Sequence, residues 1–120
     1  MKILVIDDDS MTLKMADFLL AKAGHTVITA ESAQQAMELL SQQPELIFAD
    51  NQMPQMSGIE LLEKLRSDEK TANIPVCMMS GTLSQELISK VVEFGAVGCI
   101  GNPLMQNDML RIIELIRSGE

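Results

Sequence analysis

The sequence predicts an α/β fold, a doubly wound five-stranded parallel sheet flanked by five helices. Short apolar runs alternate with amphipathic stretches five times along 120 residues, the pattern of repeated βα units. The runs near 2–6, 45–49 and 74–79 are continuously apolar, as parallel strands covered on both faces are. A third observation locates the chemistry. Ile3-Leu4-Val5-Ile6 runs into Asp7-Asp8-Asp9, and Leu46-Ile47-Phe48-Ala49 runs into Asp50. In doubly wound sheets, ligands bind beyond the carboxyl ends of the strands, where strand order reverses.

The elements follow in order. The strand near 2–6 leads to a helix near 10–23, with Met11, Met15, Phe18 and Leu19 at helical spacing and a stop at Gly24. Asp9 and Ser10 supply its cap. The strand near 26–30, Thr26-Val27-Ile28-Thr29, is mixed in polarity and reads as a sheet edge. The helix near 33–42 opens with the capping-box pattern Ser32-x-x-Gln35 and continues with Ala33, Ala36, Met37 and Leu40. After the strand near 45–49, the helix near 58–67 presents Leu61, Leu62 and Leu65. After the strand near 74–79, the helix near 84–94 presents Leu87, Ile88, Val91 and Phe94 and closes at Gly95. The strand near 97–100 precedes a last helix near 106–117, with Met109, Ile112, Ile113 and Ile116. No linker, repeat or low-complexity segment interrupts the pattern, so residues 1–120 read as one domain.

Composition narrows the function. The net charge of −8 offers no basic stripe to replace counterions, which argues against direct nucleic-acid binding and against docking on an anionic membrane. No apolar run reaches the roughly 18–20 residues of a spanning helix, and the chain opens directly into a strand rather than a leader. The cytoplasm is the expected compartment. Cys77 and Cys99 each fall inside a strand, without a metal-thiolate or disulfide spacing, and read as small buried hydrophobes. The 10 methionines read as adaptable core filler. His25, the single histidine, reads as a surface residue.

If the first and third strands are parallel neighbours, Asp7, Asp8 and Asp50 converge. At an effective dielectric of about 20, two unit charges about 4 Å apart repel by roughly 4 kcal/mol. A chain that keeps such a cluster needs a cation, a proton or a function there. Carboxylate oxygens suit Mg²⁺ or a similar divalent ion such as Mn²⁺.

On these residues the chain resembles the response-regulator receiver domain, the CheY-like phosphoacceptor module of two-component signalling. The resemblance spans essentially the whole chain. It rests on Ile6-Asp7-Asp8, on Asp50 followed by Met53-Pro54 and Ser57-Gly58, on Ser80-Gly81 after the fourth strand, and on Gly95-Ala96 and Asn102-Pro103 around the fifth. It implies a flavodoxin-like sheet in the order 2-1-3-4-5. It implies that Asp50 accepts a phosphoryl group from a phosphohistidine or a small phosphodonor. Asp8 would hold Mg²⁺ directly and Asp7 mainly through water, with Asp50 and the backbone carbonyl of Gln52 as further ligands. The Ser80 hydroxyl would follow the phosphoryl group, and Gly81 would leave room for it. The implied partners are a histidine kinase or phosphotransfer protein and a downstream effector domain or protein, reached through the face made by the fourth helix, fifth strand and fifth helix. A homodimer is compatible with this. The chemistry amounts to self-phosphorylation with weak autophosphatase activity, so the chain is not expected to be an enzyme in the turnover sense.

Two residues depart from the family pattern. Asn102 stands where the family carries Lys, whose ammonium pairs with the phosphoryl group. By formal counting, three carboxylates and one divalent cation leave about one excess negative charge. Phosphorylation raises that to about two, where Lys would hold it near one. The extra charge costs on the order of a few kcal/mol in a partly dry site. Cys99 stands where the family often carries Tyr or Phe and is too small to act as an aromatic lever. Both departures predict atypical switching. They keep open a pseudo-receiver, an interaction module that works without phosphorylation. The Asn102-Pro103 bond is expected to be cis, the usual setting of such bonds in tight turns.

Other chemistries fit less well. Asp7-Asp8-Asp9-Ser10-Met11 approaches the haloacid-dehalogenase start, Asp-x-Asp-x-Thr/Val, but Met11 fails the last position. A Walker A loop, a Gly-x-Gly-x-x-Gly turn, a Ser-His-Asp arrangement and an EF-hand loop are all missing from the sequence.

Overall fold

Five parallel strands, in the order β2-β1-β3-β4-β5, form the sheet of the computed structural model, which describes residues 1–81, 84–101 and 104–118. The strands are β1 (Lys2–Ile6), β2 (Thr26–Ala30), β3 (Leu46–Asp50), β4 (Val76–Ser80) and β5 (Gly98–Gly101). The helices are α1 (Ser10–Lys22), α2 (Ala33–Leu39), α3 (Gly58–Ser67), α4 (Gln85–Glu93) and α5 (Gln106–Arg117). The predicted order and parallel sense of the strands are those observed, with boundaries shifted by up to two residues. The second helix is the exception. Its α-helical part ends at Leu39 and tightens into a 3₁₀ turn over Leu40–Gln42, which Gln43 closes in the left-handed region at φ 57°.

Alternation along the strands divides the core in two. Leu4, Ile6, Ile47, Ala49, Val76 and Met78 face one layer, covered by α2, α3 and α4. Ile3, Val5, Leu46, Phe48, Cys77 and Met79 face the other, covered by α1 and α5. Cys77 and Cys99 thus lie on opposite faces of adjacent strands, where Cys99 is opposite Met78 in register. Burial pushes the Cys77 thiol up to about 12, so it behaves as an inert hydrophobe, as expected. β2, mixed in sequence, is indeed an edge strand.

The α1 face differs from the sequence reading. Met11, Met15 and Phe18 are exposed, at 69%, 51% and 62%, while Leu13, Ala16 and Leu20 are buried. The helix carries two apolar stripes, and the one containing smaller residues packs against the sheet. Lys22 lies over the Phe18 ring, with its ammonium 5.9 Å from the centroid. His25 is half-buried rather than fully on the surface. Its Nδ1 lies 3.3 Å from the Met1 amino group, at the end of the sheet opposite the acids.

Candidate functional site

β1 is the point where strand order reverses: the chain passes from β1 outward to β2 and then to the other side at β3. The carboxyl ends of β1 and β3 therefore border a crevice. Ile6 pairs with Ala49, so Asp7 and Asp50 emerge side by side. The backbone N–H of Asp7 donates to Ala30 O at 3.0 Å, which continues the β1–β2 ladder and fixes the start of the loop. Asp7 and Asp50 are buried and Asp8 is exposed. One carboxylate oxygen from each of Asp7, Asp8 and Asp50 lies within 4.8 Å of the others.

That spacing has an electrostatic consequence. Burial pushes the Asp7 carboxyl up to about 7. The N–H of Asp9, donating to Asp7 Oδ1 at 2.9 Å, opposes the rise, and the charges of Asp50, Asp8 and Asp9 add to it. Burial also raises Asp50, against the N–H of Gln52, which donates to Asp50 Oδ1 at 3.3 Å, and together with the charge of Asp8. Two crowded, partly dry carboxyls held above their ordinary range are what a cation would relieve. The donor set is all oxygen and partly open to solvent, and it fits Mg²⁺ or Mn²⁺. Asp9 does not join the trio. It is the N-cap of α1, accepting from the Met11 N–H at 3.0 Å and the Thr12 hydroxyl at 3.1 Å.

Ser80 ends β4, fully within the core, one register step beyond the Asp50–Met79 pair. Gly81 follows, exposed, and a Cβ built there would meet no atom within 4 Å, so open space surrounds it. Gln52 lies beside Asp50 through its N–H. Asn102, the expected cis bond to Pro103, and Pro103 itself lie outside the described residues. Leu104 joins the core and Met105 is exposed.

One residue escaped the sequence reading, and another was quoted there only as part of a motif. The Asn51 carbonyl accepts from the Gly58 N–H at 3.1 Å, and the Asn51 side-chain Oδ1 accepts from the Ile59 N–H at 3.3 Å. A larger residue than Gly58 would be crowded here: a Cβ would stand 2.5 Å from the Asp50 carbonyl oxygen and 2.5 Å from Met78 Cε. The pattern Ser57-x-x-Glu60, a capping box, is the local signal that this loop ends in a helix.

Residues 3–114 match the response regulator receiver domain family. The chain belongs to the response-regulator receiver family. It is 31% identical over 116 residues to the two-component response regulator ORR11 of Oryza sativa, covering 95% of this chain and 79% of that protein. It is 30% identical over 115 residues to the phosphate regulon transcriptional regulatory protein PhoB of Pseudomonas aeruginosa, covering 95% of this chain and 50% of that protein. The chain spans only 15% of the rice response regulator-like protein PRR73, to which it is 33% identical over 112 residues. Among solved structures, the chemotaxis protein CheY4 of Vibrio cholerae superposes with a TM-score of 0.89 at 25% identity, covering 96% of this chain and 97% of that one. A CheY-like receiver domain protein of Methanospirillum hungatei superposes with a TM-score of 0.84 at 27% identity, covering 98% of each. The receiver family places the chain among signalling modules of two-component systems that generally bind Mg²⁺ at an acidic pocket, rather than among turnover enzymes. It also implies interaction with histidine kinases or phosphotransfer proteins. Among the described residues, no helix is long and apolar enough to cross a membrane.

Proposed function

We propose that residues 1–120 form one receiver domain that takes a phosphoryl group on Asp50. The observation that supports this most is the convergence of Asp7, Asp8 and Asp50 within 4.8 Å at the switch point of the sheet. In this reading an Asp50 carboxylate oxygen attacks phosphorus in line. The bond from phosphorus to the imidazole nitrogen, or to the oxygen of a small donor such as acetyl phosphate, breaks, and its electron pair leaves with the donor. An acyl phosphate remains on Asp50. The Gln52 N–H restrains Asp50 Oδ1 for that attack. Asp7, Asp8, Asp50 and the Gln52 carbonyl would hold a divalent cation. Mg²⁺ bound there supplies charge neutralisation to the transferring group. The Ser80 hydroxyl donates to the phosphoryl oxygens, and the open space at Gly81 accommodates them.

The signal leaves through α4, β5 and α5. β5 is an edge strand, and exposed Val92 on α4 and Val97 before β5 are apolar residues available to a partner. Switching is atypical, because Asn102 brings no charge to the phosphoryl group and Cys99, half-buried on β5, is no aromatic lever.

Incubation with Mg²⁺ and acetyl phosphate, followed by intact mass, tests the reading. One added phosphoryl group that Asp50→Asn abolishes is the expected result. No added group, with Mg²⁺ still bound by calorimetry, would replace it by the pseudo-receiver, a module that binds partners independently of phosphate.

A further inference from the structure

We propose that Asn51 is a positioning residue for the acceptor loop, locking Gln52 against Asp50 by closing residues 51–58 into a hydrogen-bonded ring on the N-terminus of α3. This rests on the reading of Asp50 as acceptor and adds a residue to its machinery.

The first turn of a helix leaves four N–H groups without intrahelical partners. In α3 these are the N–H groups of Ser57, Gly58, Ile59 and Glu60; all four are satisfied, and the partners come from three residues. Ser57 and Glu60 serve each other in the capping box: the Ser57 hydroxyl accepts from the Glu60 N–H at 3.1 Å and the Glu60 carboxylate accepts from the Ser57 N–H at 3.1 Å. Asn51 serves the N–H of Gly58 through its carbonyl and that of Ile59 through its side-chain oxygen. Ser57 is the ordinary N-cap. Asn51 is seven residues before the first helical position, at the other end of the loop, so its two bonds tie the loop's start to its end.

Asn51 is also held from the opposite side. Its own N–H donates to Met79 O at 2.9 Å, on β4. The residue thus joins β4, the end of β3 and the start of α3. Gln52, next in sequence, is exposed. Its N–H still reaches Asp50 Oδ1. Gln52 is restrained through both neighbours, Asn51 in the ring and Met53 in the core, and Gly58 permits the ring to close because a larger residue would strike the Asp50 carbonyl. An apolar side chain at 51 would keep the backbone bonds and lose the bond to Ile59, loosening the ring without removing any acid.

The test compares wild type, Asn51→Leu and Asn51→Asp. Three readouts are amide hydrogen exchange at Gln52, Mg²⁺ affinity by calorimetry, and melting temperature. Asn51→Leu should speed Gln52 exchange and weaken Mg²⁺ binding by roughly threefold to tenfold, the size that one lost hydrogen bond gives. Asn51→Asp keeps an oxygen acceptor for Ile59 and should restore slow Gln52 exchange. Exchange is the rescue readout because the added charge itself attracts a cation. If Asn51→Leu only melts lower, with Gln52 exchange and Mg²⁺ affinity unchanged, Asn51 is a helix cap alone and the inference falls. If wild type binds no Mg²⁺, the acceptor reading fails instead, and Gln52 exchange alone still decides the role of Asn51.

Discussion

Asp7 holds its proton to about pH 7 in the metal-free protein, where an ordinary aspartate, at 3.8, would be ionised. The sign of its pH dependence follows. Between about 4 and about 7 the folded state binds a proton that the unfolded chain releases. The metal-free protein therefore loses stability as pH rises through that window. A cation needs the ionised form, so Mg²⁺ and the proton compete. Mg²⁺ affinity measured by calorimetry should fall by roughly tenfold per pH unit below about 7 and level off above it. An affinity that is flat from pH 6 to pH 8 would show that Mg²⁺ does not compete with a proton on Asp7. Asn102 belongs to the same scale. Asn102→Lys adds the missing positive charge and should lengthen the lifetime of the acyl phosphate or enlarge the amide shifts it causes. Unchanged lifetime and spectra would mean that Asn102 does not weaken the switch. The acids Asp7, Asp8 and Asp50 were legible in the sequence because they stand at the ends of apolar runs. Asn51 was not, because its partner Ile59 is eight residues away across an irregular loop.

The helix α3 is restrained at both ends. Its N-terminus is fixed against the acceptor loop, and its C-terminal turn is fixed by Arg66. The Arg66 guanidinium donates to Phe94 O at 3.0 Å, Ile74 O at 3.0 Å and Gly95 O at 3.2 Å. Two of those carbonyls lie at the C-terminus of α4, where the helix dipole favours a cation. Arg66→Met keeps much of the stem packing and removes all three bonds. It should cost about 1–3 kcal/mol in urea unfolding and speed amide exchange in the last turn of α4. Gly58→Ala should cost about 1–3 kcal/mol despite the better helix propensity of Ala, because its Cβ meets the Asp50 carbonyl. A neutral or stabilising result would mean that the loop yields easily. Periodicity located every helix and misassigned one face. On α1, the spacing of Met11, Met15 and Phe18 is helical, yet Leu13, Ala16 and Leu20 are the buried set. Spacing identifies a stripe but cannot choose between two, since that choice depends on the sheet and on α5. On α2, Ser32 caps the Gln35 N–H at 3.1 Å as the pattern suggests, but Gln35 reaches back to the Glu31 N–H at 2.7 Å rather than to Ser32.

At the scale of the whole molecule, the sheet order places the candidate site. The order β2-β1-β3 makes β1 and β3 neighbours and so brings their ends together. The apolar continuity of β1, β3 and β4 made the layered architecture legible, and the family resemblance supplied the order. Folding accepts the repulsion among three acids at that junction because two core layers hold the strand ends in place. A bound cation should then stabilise the whole domain by mass action, about 2.7 kcal/mol at a hundredfold excess over the dissociation constant. Thermal unfolding with Mg²⁺ and with chelator should show that gain for wild type and little of it for Asp8→Asn. The most direct test is a calorimetric titration of Mg²⁺ into wild type and Asp8→Asn at pH 8. The structure predicts one saturable site in wild type and its loss in Asp8→Asn. A wild type with no saturable heat, or an Asp8→Asn that titrates like wild type, would contradict the assignment of the acids as a cation site.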